Sequence, residues 1–145
     1  MRIAAASEDR PNAVVFFLHL DSRDKAWPSF PPGHGEFWHT GIVVDGWLHE
    51  CFSAGKFARA PANMWKAPAA GKSVWCVANV DKGKVKSELE SGTDCAEYVA
   101  RCLGMSWRTG PSKGTLWPSD VMRKLKDERD AKFVSMREWP WLNAR

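Results

Sequence analysis

Two residues far apart in the chain sit in settings that thiol chemistry requires. His39 lies in Phe37-Trp38-His39-Thr40-Gly41-Ile42-Val43-Val44, and Cys95 in Thr93-Asp94-Cys95-Ala96-Glu97-Tyr98-Val99. A sulfur at the first turn of a helix meets the positive end of the helix dipole, and an imidazole within reach can take its proton; together they make a thiol into a nucleophile for acyl chemistry. The bland reading competes directly. Cys95 also falls on an apolar stripe with Tyr98, Val99, Cys102 and Leu103, and free cysteine is commonly a buried, inert residue.

The elements that must position this pair can be read from local pattern. Residues 12–20 (NAVVFFLHL) are β-branched and aromatic and predict a first, well-buried strand. Residues 21–36 carry Pro28, Pro31, Pro32, Gly33 and Gly35 and predict a long loop of the kind that often serves function. Residues 37–44 and 47–52 read as two strands joined by Asp45-Gly46, a preferred two-residue hairpin turn. Residues 53–72, with Pro61 and Pro68, are expected to be irregular, and residues 73–80 (SVWCVANV) form another strand. Asp94 is placed to cap a helix, with Glu97 completing a capping-box-like pair and Gly104 closing it. Residues 107–117 read as loop, Pro118 starts a second helix running to about residue 130, and residues 132–139 are a candidate last strand. The sum is one α+β domain over residues 1–145, with a small antiparallel sheet packed against the cysteine-bearing helix and a second helix.

The hairpin turn provides a geometric test of which polar residue can partner His39. In a two-residue turn Val44 pairs with Trp47, Val43 with Leu48, Gly41 with Glu50 and His39 with Phe52, and opposed side chains share a face. Glu50 is then a diagonal neighbour of His39, whereas His49 and Cys51 point to the other face. The three catalytic candidates are therefore Cys95 as nucleophile, His39 as base and then acid, and Glu50 as the carboxylate that orients the imidazole. The Cys95 backbone N–H, with neighbouring N–H groups of the helix start, is the candidate oxyanion site. The substrate-binding candidates are Trp38 beside the histidine, Gly41, which leaves room beside the carboxylate, His34 in the preceding loop, and Trp117 at the head of the second helix. His34, His39, His49 and Cys51 are zinc-ligand types, but alternation separates His39 from His49 and Cys51, so no metal and no cofactor are expected.

The strand His39-Thr40-Gly41-Ile42, the acidic residue Glu50 on the next strand, and Asp94-Cys95-Ala96-Glu97 at a helix start together resemble the circularly permuted branch of the papain-like, NlpC-type superfamily, which includes the YiiX-like proteins and the lecithin:retinol acyltransferase-like enzymes. In that branch the histidine strand precedes the cysteine helix, and Trp117-Pro118-Ser119-Asp120-Val121 is similar to the segment after the cysteine helix in YiiX-like members. The resemblance covers residues 12–125 and implies a permuted papain-like fold with Cys95, His39 and Glu50 as a triad. The acyltransferase branch prefers histidine as third residue and Asn-Cys-Glu at the nucleophile, so Glu50 and Asp94-Cys95-Ala96 point to the peptidase or amidase side.

Composition narrows the setting. A length of 145 residues, 44% hydrophobic and 26% charged, is ordinary for one globular domain. Nine tryptophans are spread along the chain and are expected mostly to fill the core, with the rest stacking on a ligand. The net charge of +4 suits an anionic partner such as a cell-wall polymer, yet no basic motif interleaved with aromatics predicts a specific nucleic-acid partner. No apolar run has membrane or signal-peptide length, so the expected site of synthesis is cytoplasmic, and export without a signal peptide or carriage in a virus particle would fit a wall-active protein. Four cysteines without a CxxC pair are expected as free thiols. The expected function is hydrolysis of an amide bond, in peptidoglycan as the leading substrate, through an acyl-enzyme. Acyl transfer or thioester/ester hydrolysis on a lipid or modified protein is the runner-up, and a non-catalytic binding module of the same fold the third reading.

Overall fold

The computed structural model describes residues 11–23, 35–52, 56–65, 71–85, 94–105 and 116–138. Among these residues it is an α+β arrangement with a six-stranded antiparallel sheet and two α-helices. The strands are β1 (Ala13–His19), β2 (Phe37–Val44), β3 (Trp47–Phe52), β4 (Lys56–Pro61), β5 (Val74–Ala78) and β6 (Val134–Ser135), and the helices are α1 (Cys95–Cys102) and α2 (Pro118–Arg129). The sheet order is β4-β3-β2-β1-β5-β6. Every residue of β1 is buried, as expected of an inner strand covered on both faces.

Alternation along β1 sorts its side chains into two cores. Ala13, Val15 and Phe17 join Ile42, Val44, Cys51 and the buried residues of α1 and α2 in the larger one. Val14, Phe16 and Leu18 join Val43, Leu48, Ala62 and Met136 in the smaller one, flanked by Trp38, Trp65 and Trp75. The helices therefore cover one sheet face and an aromatic layer lies on the other. Of the tryptophans expected mostly in the core, five are described: none is fully buried, Trp38, Trp65 and Trp75 pack against the smaller core from its edge, and Trp47 is exposed with the Arg59 guanidinium 4.1 Å over its ring. The cores are built from smaller aliphatic residues with Phe16, Phe17 and Tyr98, and the indoles pack at the margins, where their N–H groups find acceptors such as the Ser135 carbonyl for Trp75.

The Asp45-Gly46 turn has positive φ at both residues, 52° and 79°, the geometry that matches the twist of the flanking strands. The hairpin pairs Val44 with Trp47, Val43 with Leu48 and Ile42 with His49, the register expected from the turn. Two further departures concern the sheet. Residues 53–72 contain a strand, β4, where irregular chain was expected; its Lys56, Ala58 and Arg59 are exposed and only Phe57 supplies a large apolar side chain, so its signal is weak and pairing with β3 makes it a strand. The last strand is only two residues long and continues into a 3-10 turn at Met136–Glu138.

Helix α1 starts where the cap chemistry places it. The Asp94 carboxylate accepts from the Glu97 backbone N–H at 2.9 Å, and the Leu103 N–H closes the far end on Val99 and Arg101 carbonyls. In α2, Pro118 occupies the first turn, and the Trp117 N–H donates to the Asp120 carboxylate at 2.9 Å. No helix among the described residues is long and apolar enough to cross a membrane.

Candidate active site

His39 sits near the start of β2 on the smaller-core face, with Phe16 and Phe52. The β2–β3 pairing runs from the turn to Ile42–His49, and beyond it the His39 ring still stacks on Phe52 at 4.9 Å with an interplanar angle of 2°. Glu50, next along β3 from His49, lies alongside. His39 Nε2 and Glu50 Oε1 are 2.9 Å apart, with side-chain exposures of 3% and 15%. A carboxylate accepts only, so His39 carries the proton on Nε2 and donates it to Glu50.

The opposite ring nitrogen, Nδ1, is left for sulfur. Cys95 is the first residue of α1, and its side chain engages His39 both by hydrogen bonding and through charge. Helix and histidine belong to opposite faces of the sheet, and their meeting depends on where α1 begins. Its C-terminal end lies toward the turn end of the hairpin, because the Asp81 N–H donates to the Cys102 carbonyl and β5 just before it pairs, through β1, with Val44. Its N-terminal end lies at the hairpin's open end, near Cys51, so Cys95 can reach His39 past the ends of β2 and β3.

The electrostatics follow from this enclosure. Burial pushes the His39 imidazole down, but hydrogen bonds that the ring donates to Cys95 and Glu50, and the charges of both, outweigh it and raise the group from 6.5 to about 9. His39 is thus held as an imidazolium at neutral pH. His49, one residue before Glu50, has the opposite fate: burial and then the Arg59 charge lower it, and its Nδ1 is buried with no partner among the described residues. Alternation puts it on the helix side, with Phe57 at 6.0 Å and not with His39.

The four cysteines separate by environment. Cys51, Cys76 and Cys102 are buried, whereas Cys95 is partly exposed. Burial pushes the thiols of Cys51 and Cys76 up to about 12, with the charges of Cys95, Asp94 and Glu97 adding to the effect at Cys51. Burial raises Cys102 to about 11 against the opposing influence of Tyr98 and Lys84. The core-cysteine description fits those three, and Cys95 is the one that keeps a path to solvent.

The helix start offers fewer free donors than its sequence implies. Asp94, raised by burial and held back by the Glu97 and Ala96 N–H groups, already occupies both of those donors. The Cys95 N–H is left as the donor at this helix start with no acceptor among the described residues, and a developing oxyanion would lie against it.

The substrate-binding candidates fall in different places. Trp38 is half-buried with its ring 5.2 Å from that of His39. Gly41 is buried, and the room it leaves is taken by Phe16: a Cβ there would lie 2.3 Å from the tip of that ring. Trp117 precedes α2, whose Ser119 packs against Gly35 just before β2. His34, with most of the loop around it, lies outside the described residues, as do residues 66–70 and 106–115. Sequence reasoning did not find Ser22, whose hydroxyl accepts from the Trp38 indole N–H at 3.3 Å; nothing in its local sequence marks it. Among the described residues no group of three or more His, Cys, Asp or Glu side chains could hold a metal ion. No family model matches this chain, and neither a curated protein nor a solved structure matches it.

Proposed function

We propose that this chain is a cysteine hydrolase of the permuted papain-like kind, cleaving an amide bond through an acyl-enzyme on Cys95. The observation that carries this reading is the position of His39, with Nε2 on the Glu50 carboxylate at 2.9 Å and the Cys95 sulfur on its other side. In the reaction Sγ, whose proton already rests on His39, bonds to the substrate carbonyl carbon as the C=O π pair moves to oxygen, and that oxygen develops charge against the Cys95 N–H. The imidazolium then gives its proton to the leaving amine as the C–N bond breaks. Water, deprotonated by His39, attacks the thioester carbonyl, and the C–S bond breaks with its electron pair staying on Sγ while the water proton stays on His39, which restores the starting pair. Glu50 keeps the ring in the tautomer and orientation these steps need and balances its charge.

The site's chemistry suits several acyl substrates, and the chain's charge and the residues around Cys95 choose among them. The basic balance of the chain, +4, favours an anionic polymer, and Glu50 with Asp94-Cys95-Ala96 is similar to the amidase side of the superfamily. Peptidoglycan is therefore the leading substrate. The test is incubation of the protein with purified peptidoglycan and, separately, with short-chain acyl esters. Release of muropeptide fragments that disappears in Cys95→Ala supports wall amide cleavage; ester turnover without wall cleavage would move the assignment to acyl transfer or ester hydrolysis, and no Cys95-dependent turnover of either would reject it.

A further inference from the structure

The first turn of β2 is irregular in a way that bears on His39. Leu18 pairs with His39 and His19 pairs with Phe37, so the register steps over Trp38. This is a β-bulge, a device that re-aims side chains and is common beside active sites. Its effect is visible in the packing. Phe37 and His39 are two apart and would share a face in a regular strand, yet Phe37 belongs to the larger core, 6.0 Å from Phe17, while His39 lies 6.2 Å from Phe16 on the opposite side. Trp38 flanks the same smaller core as Phe16. Consecutive residues thus sit side by side on one face, which strict alternation forbids.

The bulge is held from β1. Its indole N–H donates to Ser22 Oγ at 3.3 Å, and Ser22 Oγ–H donates to the His19 carbonyl at 2.6 Å. The Leu20 N–H donates to the Glu36 carbonyl at 2.8 Å just ahead of the bulge. Ser22 lies in the 3-10 turn Leu20–Ser22 that ends β1, so one hydroxyl ties that turn to the indole beside the imidazole. We propose that Ser22 and Trp38 are positioning residues for His39: the bulge, locked by the Trp38–Ser22 hydrogen bond, sets the imidazole where it meets Cys95. The proposal rests on the Cys95–His39 reading above.

The test needs no substrate. The rate of Cys95 modification by iodoacetamide at pH 7, followed by peptide mapping, is compared in the wild type, His39→Ala, Ser22→Ala, Ser22→Thr and Trp38→Phe, with the His39 titration midpoint read by NMR. Trp38→Phe keeps a ring but loses the donor. Ser22→Ala and Trp38→Phe are expected to slow modification by about three- to tenfold, the range that follows from losing one hydrogen bond. They should also lower the His39 midpoint, a change that a merely structural defect elsewhere would not make, and Ser22→Thr should stay near the wild type. If Ser22→Ala fails to fold, Trp38→Phe decides. Wild-type rates and midpoint in Trp38→Phe, with His39→Ala slow, would overturn the positioning role alone. A His39→Ala rate equal to the wild type would overturn the Cys95–His39 reading beneath it.

Discussion

Replacing Glu50 by glutamine removes one charge and keeps the shape, and its consequence can be worked from the geometry. In the native site His39 stands at about 9 although burial alone would take it below 6.5. The difference from 6.5 corresponds to about 3 kcal/mol in favour of the imidazolium, supplied jointly by Cys95 and Glu50 against desolvation. A hydrogen bond to a charged group contributes about 1.5–3 kcal/mol, so Glu50→Gln should bring the His39 midpoint down to roughly 7 to 8. Turnover should fall about ten- to a hundredfold, since the imidazolium that must protonate the leaving group loses its counter-charge, and a remainder should persist because Cys95 and His39 are intact. The alkaline limb of the rate profile should move down with the midpoint. The assay is a histidine-selective NMR titration paired with a pH–rate profile of the wild type and the variant. An unchanged midpoint with unchanged turnover would refute the assigned role of Glu50.

Two further outcomes test the packing and the protonation state. A group whose folded value lies above its unfolded one stabilises the fold fully below the unfolded value and loses that contribution as pH rises through the folded one; for His39 the window runs from 6.5 to about 9. Urea unfolding should therefore show the wild type losing, across that window, of order 3 kcal/mol more than His39→Gln loses; equal losses would mean that His39 is not held protonated. Gly41→Ala would drive a methyl into the fully buried Phe16 ring and should cost about 1–3 kcal/mol in the same assay. A neutral result would show that the Phe16 ring yields freely.

What the chain discloses in its residues, and what it withholds, divides along physical lines. The Asp45-Gly46 turn allows few geometries, so its register was readable, and with it the choice of Glu50 over His49. The capping carboxylate of Asp94 and the proline at the head of α2 were readable for the same reason: each acts on backbone groups a few residues away. The strand β4 was not, because Lys56, Ala58 and Arg59 face outward at the sheet margin and its stability comes from β3. Alternation sorts the hairpin residues into two faces but is silent on which face a distant helix covers, so the meeting of His39 with a helix packed behind it was not predictable. The bulge at Trp38 was hidden too, since an extra residue leaves no mark until its partner strand is known. Gly41 looked like room beside a carboxylate; the occupant, Phe16, comes from a strand 25 positions earlier and only the tertiary packing reveals it.

Brief exposure of the protein to the activated ester p-nitrophenyl acetate, followed by acid quenching and peptide mapping by mass spectrometry, reads whether Cys95 is a nucleophile served by His39. An acetyl group is expected on Cys95 and not on Cys51, Cys76 or Cys102, absent in Cys95→Ala and strongly reduced in His39→Ala. Acetylation of a different residue, or undiminished acetylation of Cys95 in His39→Ala, would contradict it.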